Sequence, residues 1–253
     1  MLHAGEVGPV MIPVTGEPAE GRSMVIGRTR WALAVGVGTI LYLAVVFGSQ
    51  VGATVFLPGE LEGIDYAWIG LVQLGLGLPV VSAALRIAGL TLRDVGLTTR
   101  GWPREAMIGT AVATAFAILQ FGLVIPLTGG VERSDVAANK AQIGDAWFGV
   151  IGFIALAWTG AAMEEVFFRG HFLNTLRGLI GPGRGALIIA AAATVLLFAV
   201  LHSYQGWAGI VDAGIYGGLT LTLLYLWRGT LTACIIAHAL WNTSAALALF
   251  LLY

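Results

Sequence analysis

Residues 147–170 read WFGVIGFIALAWTGAAMEEVFFRG. From Trp147 to Met163 no side chain is charged, a run close to the ~20 apolar residues a helix needs to cross the hydrocarbon core of a bilayer. The run ends on two adjacent carboxylates, Glu164 and Glu165, with Arg169 one helical turn further on. The apolar part points to a membrane protein, and the charges raise the question of what they do at the end of such a segment.

The rest of the chain answers the first point. Of its 253 residues 58% are hydrophobic and 11% charged, and its mean hydropathy is +0.87, whereas a soluble domain carries about 25% charged residues. Hydropathy predicts seven spans, at residues 31–56, 66–90, 106–127, 147–168, 186–203, 207–227 and 231–252. The expected fold is therefore an all-α, polytopic transmembrane helical bundle with any active site inside it. Only Arg228-Gly229-Thr230 separates the last two spans, which predicts a tight helical hairpin.

The basic residues give the direction of the spans. Arg22, Arg28 and Arg30 precede the first; Arg86, Arg93, Arg100 and Arg104 surround the second connection; Arg169, Arg177 and Arg184 surround the fourth; Arg228 sits in the sixth. Eleven thus fall on one side, against Arg133 and Lys140 on the other. By the positive-inside rule the N-terminus is expected in the cytoplasm and, with seven spans, the C-terminus outside. The expected location is a bacterial or archaeal plasma membrane. A net charge of −1 with no basic patch gives no reason to expect a nucleic-acid partner.

Residues 1–30, with GEVGPVMIPVTGEPAEGRS, show no apolar periodicity and read as a disordered cytoplasmic tail rather than a signal peptide. Residues 31–253 read as one transmembrane domain. Its longest polar connections, LTLRDVGLTTRGWPRE and GGVERSDVAANKAQIGDA, are too short to be domains, and no internal repeat is visible. Cys234, the single cysteine, is expected to be a small core residue.

Among the acidic residues only Glu164, Glu165 and Asp212 lie within or at the edge of a span, and among the histidines only His202 and His238. A charge at the centre of a spanning helix costs about 2.5–3.5 kcal/mol, so each is a candidate site residue. Successive helical side chains diverge by about 100°, and residues four apart by only about 40°. Glu165 therefore shares a face with Arg169, as an i, i+4 ion pair that holds the helix and positions Glu164. Glu164 has Gly160 and Phe168 at its four-residue positions. It needs a partner from another helix, or stays neutral through burial.

The turn GPGRG at 181–185 suggests that partner. His202 lies 17 residues beyond Gly185, and Glu164 lies 17 residues before Gly181. In an antiparallel pair both would sit at the same depth, at most roughly 25 Å from the turn. His202 follows Phe198 by four residues, and could alternatively be an interfacial histidine. In the last span His238 and Asn242 are four apart on one face, as interhelical hydrogen-bonding groups or as part of a site. Asp212 reads as a solvated or capping residue, and His3 and His171 as exposed.

Three motifs now line up: Glu164-Glu165-Val166-Phe167-Phe168-Arg169, Phe198-Ala199-Val200-Leu201-His202 and His238-Ala239-Leu240-Trp241-Asn242. In order and membrane context they resemble the EExxxR, FxxxH and HxxxN signatures of the CPBP family, the CAAX-protease and bacteriocin-processing intramembrane enzymes also called Abi. The resemblance covers about residues 90–250, including the RDVGL stretch. It implies a membrane-embedded endopeptidase acting on membrane-anchored proteins or peptides. It further implies that Glu164 and His202 activate the attacking water, that His238 and Asn242 stabilise the oxyanion, and that Glu165, Arg169 and Phe198 support them.

The residue types suit that chemistry: a glutamate beside a histidine can act as general base, and Asn and His donors can face developing negative charge. The alternative of a metalloprotease rests on Glu164, His202 and His238 as a zinc set. No HExxH pair is present and asparagine is a poor zinc ligand, so the expectation is a glutamate-dependent enzyme without a metal cofactor. Two other classes share these features, a non-catalytic membrane scaffold or regulatory protein of the same fold and a proton-coupled transporter.

Overall fold

The computed structural model describes residues 27–57, 59, 61 and 63–253. Residues 1–26 of the expected tail, with His3, lie outside that set, and the helix begins at Arg28. The described chain forms α1 (Arg28–Phe56), α2 (Asp65–Ile87), α3 (Trp102–Leu127), α4 (Ser134–Ile143), α5 (Trp147–Ile180), α6 (Arg184–Leu201), α7 (Ser203–Arg228) and α8 (Leu231–Leu252). All but the short α4 are long and apolar enough to cross a membrane, and no strand occurs among the described residues. The described residues form the predicted all-α bundle, with seven helices of spanning length and apolarity.

Packing sets α1, α2, α5, α8 and α3 side by side in that order, while α6 packs on α7 and on the end of α5, and α7 on α8. Small residues let backbones approach. A methyl group on Gly109 of α3 would lie 2.7 Å from the Ala233 carbonyl oxygen of α8, a contact of the kind that drives helix association where no water is displaced. Outward faces are apolar: Ile40, Val51, Ile188 and Leu196 are all exposed. Exposed tryptophans lie near both ends of the bundle, Trp102 and Trp227 at one and Trp147 and Trp207 at the other, as the two interfaces of a bilayer favour.

The two ends are well defined. At one, Arg30 Nε donates to the Ile87 carbonyl (2.8 Å), Arg228 pairs with Glu105 (2.6 Å) and the Leu231 N–H bonds the Gly96 carbonyl (2.9 Å). The last contact docks the RDVGL stretch on the α7–α8 hairpin. That hairpin turns at Gly229, whose φ of 67° suits glycine, and Thr230 then caps α8 by accepting from the Thr232 N–H. At the other end the Gly63 N–H bonds the Gln142 carbonyl (2.9 Å) and Ser134 Oγ donates to the Gln205 carbonyl (2.7 Å).

Two expectations need correction. His171 is not exposed. It is wholly buried, because α5 continues past the predicted end of its span and α1 packs over it. There Nε2 of His171 meets the Ala34 carbonyl at 2.9 Å, in space left by Gly38. Asp212 is neither solvated nor a cap, since its side chain is 17% exposed and paired with Arg133.

Candidate active site

The geometry of the site begins with an irregularity in α5. The helix is α-helical through Glu165, π-helical over Val166–Phe172, and α-helical again from Leu173. A second wide segment, Ala213–Thr220, occurs in α7. Such turns are uncommon and recur at functional sites. Here they meet: Nη2 of Arg169 donates to the carbonyls of Gly217 and Gly218, the latter at 3.1 Å. Arg169 is fully buried, its guanidinium 5.1 Å from the ring centre of Phe198.

Glu165 is also fully buried, and one of its oxygens serves two partners. Oε1 accepts from Nη1 of Arg169 at 2.9 Å and from Nδ1 of His238 at 2.8 Å. The i, i+4 pair expected from the sequence is present, but it also reaches α8 and fixes His238. A carboxylate paired with arginine can only accept, so Nδ1 of His238 carries a proton and Nε2 is turned the other way. Nε2 lies 3.9 Å from Oε2 of Glu164.

Glu164 is held differently. Its side chain is 31% exposed, on the wall of a cavity of about 450 Å³, while Oε2 is itself buried and has no hydrogen-bond partner. His202, His238 and Asn242 line the same cavity. His202 donates from Nδ1 to the Phe198 carbonyl (2.8 Å) and stacks on the Phe198 ring, with centroids 4.5 Å apart. This leaves its Nε2 unengaged. No hydrogen bond or ion pair joins Glu164 to His202 among the described residues; the histidine closest to Glu164 in the charge-pair sense is His238. Phe198 touches Arg169, His202 and His238 together.

Other polar groups that line the cavity belong to no sequence motif. Tyr42 of α1 is 3% exposed, stacks on Phe167 at 3.7 Å and faces the cavity. Gln73 of α2 and Asn139 of α4 do so as well. Each is an isolated polar residue without a motif, so spacing could not have found it. Nor was there a signal for the second buried cluster, near the other end of α7. There Arg133 makes two bonds to Asp135 (2.9 and 2.8 Å) and pairs with Asp212, which also accepts from Gln120 (2.5 Å). Hydrogen bonding to Asp135 pushes the Arg133 guanidinium pKa up.

Among the described residues no three His, Cys, Asp or Glu side chains are grouped so as to hold a metal ion. Comparison with known families matches residues 145–244 to the model described as "Type II CAAX prenyl endopeptidase Rce1-like". No curated protein and no solved structure matches the chain. The matched residues run from the start of α5 to just beyond Asn242 and so contain all three motifs, including every residue of the Glu164, Glu165, Arg169, His202 and His238 cluster. The segment that builds this cluster, residues 145–244, is thus similar to the Rce1-like type II CAAX prenyl endopeptidases, in agreement with the resemblance of its three motifs to the CAAX-protease-like intramembrane endopeptidases.

Proposed function

We propose that the chain hydrolyses peptide bonds of membrane-associated proteins or peptides, with Glu164 as the general base. The observation that carries this reading is the buried, unpartnered Oε2 of Glu164, on a cavity wall beside a histidine whose other nitrogen is held by Glu165. An unsatisfied buried carboxylate oxygen is costly, and a water or a substrate group entering the cavity would satisfy it. In the proposed reaction the water attacks the peptide carbonyl carbon while Glu164, with His202 assisting, takes its proton. The amide side chain of Asn242 and the ring of His238 face the charge that develops on the carbonyl oxygen. The C–N bond then breaks, and Glu164 returns the proton to the leaving nitrogen.

Glu165, Arg169 and Phe198 position these groups and do not touch the reacting atoms. The separation of 3.9 Å between Glu164 and His238 is long for a direct hydrogen bond, as is common before substrate binds. The reading needs no metal. Both Nδ1 atoms are committed, that of His238 to Glu165 and that of His202 to the Phe198 carbonyl, which leaves the Nε2 atoms to serve the water and the oxyanion. The experiment compares the membrane proteomes of cells carrying the wild type and Glu164→Gln: uncleaved proteins accumulate only with the variant. Treating the purified enzyme with a chelator is expected to leave cleavage intact. Loss of cleavage that zinc restores would replace the glutamate mechanism with a metal-dependent one.

A further inference from the structure

We propose that the cavity takes its peptide from the non-cytoplasmic face, so that the substrates are membrane-anchored polypeptides whose scissile bond lies at or just inside the outer leaflet. The chemistry of this inference rests on the endopeptidase reading above; its geometry does not.

Two observations carry it. The first is charge. Of the twelve described basic residues nine lie at the end of the bundle where α1, α3, α6 and α8 begin. Arg169 is buried in the site, and only Arg133 and Lys140 belong to the opposite end. Even those two are engaged, Arg133 with Asp135 and Asp212, and Lys140 with the Tyr253 carbonyl. The positive-inside rule assigns the arginine-rich end to the cytoplasm.

The second is where the cavity goes. The residues outside the spans that line it are Asp135, Asn139 and Gln142 of α4, and it is also lined by Tyr204 and Gln205 in the first turn of α7. All belong to the end opposite the arginines. None of the connections at the arginine-rich end, residues 88–101, 181–183 and 229–230, lines it. Tyr204 is 60% exposed, so the cavity reaches the surface there. In the other direction Phe168 and Phe198 close it, backed by the buried Arg169 and its bonds to Gly217 and Gly218. The amides of Asn139, Gln142 and Gln205 both donate and accept, which matches the backbone of an extended peptide better than it matches a single charge.

The test separates this inference from the endopeptidase reading. Single cysteines are introduced in the full chain at Ala141, exposed on α4, and at Thr99, exposed in the 88–101 connection. Neither lines the cavity, and the native Cys234 is buried, so the unmodified chain supplies the background. A membrane-impermeant maleimide added to intact cells is expected to label Ala141→Cys, with Thr99→Cys labelled only after permeabilisation. Labelling of Thr99→Cys in intact cells overturns the proposal. In parallel, new protein termini present with the wild type and lost with Glu164→Gln are mapped, and are expected on the outer side of their spans. Termini on the cytoplasmic side also overturn it. Expected labelling without any Glu164-dependent termini leaves the orientation intact and removes the endopeptidase reading. Reversed labelling with such termini does the opposite.

Discussion

The protein buries two ionic clusters, and they are built to different ends. In the cluster around Asp212, both carboxylates are paired with Arg133, and Gln120 adds a further bond. In the cluster around Glu165, Arg169 and His238 share one carboxylate oxygen, while Oε2 of Glu165, Nε of Arg169 and Oε2 of the neighbouring Glu164 have no hydrogen-bond partner, and of these three residues only Glu164 lines the cavity. Burial of charge in a membrane protein therefore does not by itself identify a reaction centre. A cluster whose carboxylates are all paired braces helices, even where Asp135 and Asp212 line the cavity, whereas an unpaired carboxylate oxygen on that cavity's wall, as Glu164 presents, is what the proposed reaction would use.

Substitutions can break this contrast. The largest effect is expected from Glu164→Gln, which should reduce cleavage at least about a hundredfold, the low end of what a general base contributes, with thermal stability in detergent unchanged. A variant that cleaves at the wild-type rate would erase the distinction between the clusters. Glu165→Ala should act on both properties. It leaves the fully buried guanidinium of Arg169 without its carboxylate, a loss of about 3–5 kcal/mol for a broken buried pair, and it frees His238 to turn. Denaturation in detergent together with a cleavage assay measures both.

Smaller effects sharpen the comparison. A methyl group in Gly217→Ala would lie 2.2 Å from Cε1 of Phe198, and the overpacking should cost about 1–3 kcal/mol. Because Phe198 carries the stacked His202, cleavage should fall further than stability alone explains, read as a drop in kcat at a temperature where the variant is folded. Asp212→Asn keeps the shape of the side chain, and Arg133 retains Asp135. A loss of about 1 kcal/mol is expected, the net worth of a hydrogen bond, with cleavage at the wild-type rate. A large loss of cleavage would show that the outer cluster is more than a brace.

The bundle was legible because a bilayer imposes length and apolarity on every span, and WFGVIGFIALAWTGA carries both openly. The short helix α4 was not, because SDVAANKAQI is polar and lies between spans, where hydropathy carries no signal. The i, i+4 relation of Glu165 and Arg169 follows from helical period alone, but the reach of Glu165 to His238 crosses 73 residues of sequence. Hairpin counting from GPGRG brought Glu164 and His202 to one cavity but not into contact, because it assumed uniform α-helical rise through a segment that is π-helical from Val166 to Phe172. The pairing of Arg133 with Asp212 spans 79 residues without any motif, so only the folded chain reveals it.

The wide turn in α5 also sets how this protein tolerates insertions and deletions. Removing one residue between Val166 and Phe172 would relax the segment toward an ordinary α-helix and leave hydropathy, span number and composition almost unchanged. Because a wide turn holds one residue more than an α-helical turn, the helix beyond it would keep roughly its direction, while the side chains within the turn, Arg169 among them, would be offset from the carbonyls of Gly217 and Gly218. A chain altered in this way would still insert as a helical bundle and would be counted as intact by its hydropathy, while the clamp on His238 had come undone.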